Sequence, residues 1–177
     1  MPILIVMTRR AFDPGQCPVG RTLERVGDTW SLMILRDAFH GLSRFDQFAQ
    51  SLGVAPNILS QRLNALVEAG FLERRPYQTR PVRHEYLLTA LGRDFVPVLT
   101  ALLAFGNRHF AVEGLASQIV EAATGLPAEP VLVDRRTGRE IDEAHFTVAA
   151  GPAAQAPTQA RMAFVEEKRR RRSVEAT

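Results

Sequence analysis

The stretch from residue 44 to residue 89, RFDQFAQSLGVAPNILSQRLNALVEAGFLERRPYQTRPVRHEYLLT, decides the fold, because it reads as two short helices, a turn and then a basic β-hairpin. In its first part Phe45, Phe48 and Leu52 fall at helical spacing, and Gly53 follows where a left-handed residue ends a helix. Pro56 suits the first turn of a second helix, since its missing N–H has no intrahelical partner there. Along that helix, 56–69, Leu59, Leu63, Leu66 and Gly70 lie on one stripe. Asn57, Ser60, Gln61, Asn64 and Glu68 lie on the opposite one. The order predicts a winged helix-turn-helix.

The polar stripe gives that fold a chemistry. Asn, Ser and Gln are short hydrogen-bonding groups suited to base edges in a major groove, whereas an unpartnered surface helix more often carries Glu and Lys. After Gly70, residues 71–75 and 83–88 form two strand-like runs around a loop containing Pro76, Thr79 and Pro81. Arg74, Arg75, Arg80, Arg83 and His84 crowd into this candidate wing, opposed only by Glu73 and Glu85. Such a charge suits a phosphate backbone or a narrow minor groove. Either half alone is also what an ordinary amphipathic helix or a solvated charged hairpin gives. Their succession in this order points to DNA.

The run CPVGRTLERVGDTWSLMILRDAF from 17 to 39, then RFDQF, PNILSQRLNALVEAGFLERRPY and EYLLTALG up to Gly92, resembles the HxlR family of bacterial winged helix-turn-helix transcriptional regulators. The similarity covers about 15–110, with a Cys-Pro start, Gly-Asp-x-Trp and Leu-Ser-x-Arg-Leu as its specific marks. Thr29 departs from the family pattern, which has Lys there. The resemblance implies a homodimer that binds operator DNA near the genes it controls, and in some members a cysteine beside that proline senses oxidants or electrophiles. It also implies a role for Arg62, in Leu-Ser-x-Arg-Leu, in DNA contact or in fixing the wing.

The 177 residues, 46% of them hydrophobic, hold one domain of ordinary size with appendages. A net charge of +3 and a pI of about 9.7 permit nucleic-acid binding without establishing it. One cysteine excludes an intrachain disulfide and a cysteine-rich zinc site, and predicts a reducing compartment. The apolar start MPILIVM is only a turn or two long and is followed by Arg9 and Arg10, the reverse of a secretory signal. No other stretch approaches the roughly 20 apolar residues of a membrane span. A cytoplasmic protein without a membrane partner is expected.

Residues 21–27 and 30–39 read as helices, with Leu23, Val26, Trp30, Met33, Ile34 and Leu35 as apolar faces, Asp28 as a cap and Trp30 as a core anchor. Thr89 caps a long helix running to about Phe110, which Pro97 should bend. Its apolar stripe is wider than one small domain covers, so Leu91, Phe95, Val98, Leu99, Leu102 and Phe105 are expected at a homodimer interface, with help from the N-terminal helix. Beyond Phe110, helix should continue to about Thr124, and 131–134 and 145–149 read as short strands around the turn RRTGR. The expected organisation is an N-terminal arm 1–14, the winged domain with its dimerisation helix 15–110, a small αβ appendage 111–151 and a mobile basic tail 152–177. The fold class is mainly α with a small β-hairpin. The run from Lys168 to Arg172 is either a solvated tail or a weak nonspecific DNA contact.

Enzyme chemistry is not expected. His40, His84, His109 and His145 lack metal-site spacing, and no phosphate loop or nucleophile elbow is present, so neither cofactor nor metal is called for. Cys17 is the one residue with plausible reaction chemistry. Pro18 places it just before a helix, where exposed N–H groups and Arg21 favour a thiolate. The other reading is an inert cysteine buried against the dimer helices. The function expected is a sequence-specific DNA-binding regulator, a repressor, acting on a palindromic operator. Arg44, Pro56, Asn57, Ser60, Gln61, Arg62, Asn64, Arg74, Arg75, Arg80 and Arg83 are its DNA-contacting residues and Cys17 its candidate oxidant sensor. Control by a small-molecule effector near the dimer interface and, further off, a protein-binding winged helix are the rivals.

Overall fold

A computed structural model of the chain describes residues 14–175, which leaves nearly all of the expected N-terminal arm outside the described residues. Along the chain come α1 (Pro18–Val26), α2 (Thr29–Phe39), α3 (Phe45–Leu52), α4 (Pro56–Glu68), β1 (Leu72–Thr79), β2 (Val82–Leu88), α5 (Ala90–Asp94), α6 (Val96–His109) and α7 (Ala156–Glu175). They fall into two compact units, one spanning 28–147 and one joining 14–27 to 148–175.

In the larger unit, each element begins where its sequence supplies a partner for orphan backbone groups. Asp28 caps α2, its Oδ1 accepting the Ser31 N–H at 3.1 Å. Gln47 reaches back so that its Oε1 accepts the Ser43 and Arg44 N–H groups, both at 3.0 Å, and starts α3. Gly53, at φ 60°, ends α3 in the left-handed conformation, and Pro56 opens α4. The apolar stripes then meet: Ile34, Leu35, Phe48, Leu59, Leu63 and Leu66 are wholly buried, and Phe71, Leu72, Tyr86 and Phe95 complete the core. Each of these contributes about 1.5–3 kcal/mol by leaving water. Trp30, expected among them, is 37% exposed. It lies at the start of α2, one turn before Ile34, and Ile34 and Leu35 take the core positions.

β1 and β2 pair antiparallel from Leu72 opposite Leu88 to Thr79 opposite Val82, with an irregularity between Pro76 and Gln78. The wing is therefore longer than the expected strands, and only Arg80 and Pro81 form its tip. Ser43 accepts the Tyr86 N–H at 2.7 Å and Arg44 bridges Glu85, so this segment lies along the other edge of β2. That leaves β1 as an edge strand, the one place in a sheet where Pro76 costs no ladder bond.

The expected single helix from Thr89 to Phe110 is two. Thr89 Oγ1 accepts the Gly92 N–H at 3.1 Å and starts α5, the chain breaks at Phe95, and Pro97 falls in the first turn of α6. A proline ring excludes the carbonyl four residues back, so the anticipated bend becomes a restart.

Beyond α6 the expected helix to Thr124 and the paired strands of an αβ appendage are not formed. Isolated bridges join Val120 to Pro127 and Val133 to Glu140, and 145–149 is not a strand. The reason is local. Thr124 Oγ1 donates to Glu121 Oε2 at 2.6 Å and Thr137 Oγ1 to Asp134 Oδ2 at 2.7 Å, and in each turn the following glycine N–H returns to the acidic residue's carbonyl at 2.8 Å. An acid-x-x-Thr-Gly segment that satisfies itself this way stops a helix.

The smaller unit corrects the last expectation, since the tail is largely the 20-residue helix α7. Gln16 ties its start to the α1 segment: Nε2 donates to the Ala153 carbonyl at 3.0 Å, and Oε1 accepts the Gln155 N–H at 2.8 Å. Met162 is buried one and a half turns in, while the residues from Lys168 to Arg172 are exposed.

Candidate nucleic-acid interface

α4 presents two opposite surfaces. Leu59, Leu63 and Leu66 are fully buried, and Pro56, Asn57, Ser60, Gln61, Asn64 and Glu68 are exposed in a continuous row. The buried leucines hold the backbone, so the polar row is presented from a rigid helix with nothing of its own unit covering it.

Arg62 lies at the flank of this row, half-buried, with its Nε 3.2 Å from Asp28 Oδ1 in an ion pair that lacks hydrogen-bond alignment. The same carboxylate oxygen caps α2, so Arg62 pins the start of α2 to α4.

The wing carries exposed Arg74, Arg75, Arg80 and Arg83. Arg75 is paired with Glu73 at 2.6 Å, and Arg74 Nη2 donates to His84 Nδ1 at 3.0 Å across the strands, which needs the imidazole nitrogen to be the acceptor. Arg80 stands at the tip, its carbonyl accepting from Gln78 Nε2 at 2.9 Å. Arg44, at the start of α3, stacks its guanidinium 4.5 Å from the centre of the Tyr77 ring. This contact spans 33 positions and had no signal in sequence; it is worth about 0.5–1 kcal/mol at an exposed site. Phe45, Asp46, Arg74, Tyr77, Arg83, His84 and Tyr86 line an open cleft between α3 and the wing.

Of the residues expected at a dimer interface, Leu91, Val98, Leu102 and Phe105 are between 45% and 55% exposed, and Leu99 is half-buried. Phe95 is not available. It is buried against Phe71 in an edge-to-face pair, ring centres 5.7 Å apart, and belongs to the core of its own unit.

Cys17 is half-buried and caps α1, its Sγ accepting the Gly20 N–H at 3.4 Å. Arg21 directs its Nε to the Gly15 carbonyl at 2.7 Å. Among the described residues no group of three His, Cys, Asp or Glu could hold a metal ion, and no helix is long and apolar enough to cross a membrane.

A helix-turn-helix with a polar outward helix and an arginine-bearing wing defines the class of DNA-binding transcriptional regulators. Residues 25–113 match the HxlR-like helix-turn-helix family. A helix-turn-helix transcriptional regulator of Mycobacterium tuberculosis is 42% identical over 135 residues, covering 76% of this chain and 85% of that one. A solved structure of a candidate transcription factor from Pseudomonas aeruginosa is 51% identical, with a TM-score of 0.60 over 82% of this chain and 99% of that one. The redox regulator HypR in its reduced form is 27% identical, with a TM-score of 0.51 over 54% of this chain and 96% of HypR. The chain belongs to the HxlR-like helix-turn-helix family, and it is a transcriptional regulator rather than an enzyme.

Proposed function

We propose that the protein acts in the cytoplasm as a homodimer that binds a palindromic operator, with α4 of each subunit in a major groove and each wing on the flanking backbone. The observation that carries this reading is the exposed row of Asn57, Ser60, Gln61 and Asn64 on a helix whose other side is wholly buried. Asn and Gln pair in bidentate fashion with the N6 and N7 edge of adenine, so the row reads bases. A winged helix used for protein contacts would present apolar groups there. Pro56 sets the start of the reading helix, Arg44, Arg74, Arg75, Arg80 and Arg83 hold phosphates, and Arg62 orients α4 through Asp28. The exposed apolar side chains of α5 and α6 supply the dimer surface. Two reading helices should then stand about one turn of DNA apart, roughly 34 Å. Occupation of promoter DNA by such a dimer makes repression the expected outcome.

Footprinting and gel shifts over the DNA flanking its own gene test this. Gln61→Ala should relax the preference for one sequence, whereas Arg80→Ala should weaken binding to every duplex and reduce the salt slope by about one unit. Unchanged affinity for all duplexes in both variants would show that another face meets DNA.

A second observation favours a signal. The Cys17 thiol stands at the N-terminus of α1, its Sγ accepting the Gly20 N–H, and the similar HypR is a redox regulator. On this reading oxidation of Cys17 alters operator affinity, through an intersubunit disulfide or a small-thiol cap. Cys17→Ser should bind DNA as before and lose the response to diamide. Slow alkylation of the native thiol with identical operator affinity before and after oxidant would remove the sensor role and leave the DNA reading standing.

A further inference from the structure

We propose that α7 is a second, sequence-independent contact for DNA phosphates, an inference that rests on the DNA-binding reading above. α7 holds six cationic residues, Arg161 and those from Lys168 to Arg172, against Glu166, Glu167 and Glu175. Its net charge of +3 equals that of the whole chain, so the remaining sequence is neutral and long-range attraction to a polyanion resides in this helix. The family match ends at residue 113, well before it.

The charge is arranged for a polyanion. Five successive cations from 168 to 172 rise about 6 Å along a helix axis. That is close to the density of a duplex, which carries one phosphate charge about every 1.7 Å. Glu166 and Glu167 hold Arg170 and Arg171 at 3.7 and 2.8 Å, one turn along, yet both guanidinium-bearing side chains remain more than 65% exposed. They can exchange a carboxylate for a phosphate without leaving the helix. The helix dipole explains cations in the last turn only, and this run begins nearly two turns before the end of α7. A membrane-surface helix would confine its cations to one face beside an apolar one. Here consecutive cations circle the axis and no apolar residue interrupts them, so whichever side of α7 meets a duplex carries cations. The start of α7 is fastened through Gln16 and Met162, so the basic half is carried on an anchored helix.

The test compares the full chain with Arg169→Gln/Arg170→Gln/Arg171→Gln/Arg172→Gln and with the four Arg→Lys replacements. Binding to a random 24-bp duplex and to the DNA flanking the protein's own gene is measured between about 50 and 200 mM salt, where each phosphate contact contributes about 0.9 to the slope. The Gln variant should lose about two to four units of slope and at least about tenfold in affinity for both duplexes, leaving their ratio unchanged, and the Lys variant should restore both. An unchanged slope in the Gln variant overturns the proposal, as does a loss that Lys does not restore. Wild-type binding to phosphatidylserine–phosphatidylcholine vesicles with no effect of the Gln variant on DNA assigns α7 to a membrane and also overturns it. If the wild type binds both duplexes equally and the Gln variant binds neither, α7 is upheld and base reading by α4 fails.

Discussion

Gly92 is held by contact rather than by backbone freedom. A Cβ placed there would stand 2.2 Å from the Phe71 carbonyl oxygen and 2.9 Å from Leu88. The approach lets Thr89 serve two ends at once, its Oγ1 donating to the Gly70 carbonyl at 2.6 Å while accepting the Gly92 N–H. Gly92→Ala must push α5 off the end of the wing, and overpacking of this kind costs about 1–3 kcal/mol. A lower urea midpoint with an unchanged m-value is the expected result; wild-type stability would mean that α5 shifts freely. Arg62 teaches a related lesson. Its position in Leu-Ser-x-Arg-Leu implied a DNA or wing contact, and the structure adds a long-range ion pair with Asp28 at the α2 cap.

At the scale of elements, the two acid-x-x-Thr-Gly turns show how a few side-chain hydrogen bonds displace a helix. Asp134 is half-buried, and the Thr137 hydroxyl together with the Arg136 and Thr137 N–H groups holds its carboxyl below the usual carboxylate range. A depressed carboxylate adds stability that is full above the unfolded pKa and is lost as pH falls through the folded one. The turn should therefore hold at neutral pH and open only in acid below the ordinary range. Thr137→Val should return Asp134 toward its ordinary titration, read by carboxyl chemical shifts across a pH series. An unmoved titration would mean that the backbone N–H groups alone set it. The wing shows the opposite case, in which long-range pairing wins: Arg44 and Tyr77 meet only because 43–44 lies along β2.

For the whole molecule, the exposed apolar residues of α5 and α6 bear on assembly. Leu91, Val98, Leu102 and Phe105 leave about half of their surface in water. Burying the exposed half of each against a second copy is worth about 0.7–1.5 kcal/mol, which together favours a dimer. Leu102→Asp should give monomers by light scattering and lose binding to a full palindrome, while each monomer keeps its core because Leu102 is not among the buried residues that form it. A variant that stays dimeric and binds as the wild type would move the interface elsewhere.

The helix-turn-helix, its caps, the polar row of α4 and the arginine content of the wing were legible in sequence, because each depends on contacts within a few residues: periodicity, an Asp or Thr cap, a Gly or Pro stop. The segment after α6 was misread because short apolar runs such as 119–120 and 131–133 carry no period long enough to separate strand from loop. The α7 basic run read as a tail because charge composition alone does not register the anchors Gln16 and Met162 supply. Phe95 read as interface and Trp30 as core because a stripe of apolar residues does not say which of them its own unit covers. Sequence by itself determined which surfaces are apolar, polar and charged. Tertiary structure alone decided which of those surfaces are already spent, because burial, like the pairing of Arg62 with Asp28 and Arg44 with Tyr77, depends on distances between residues far apart along the chain.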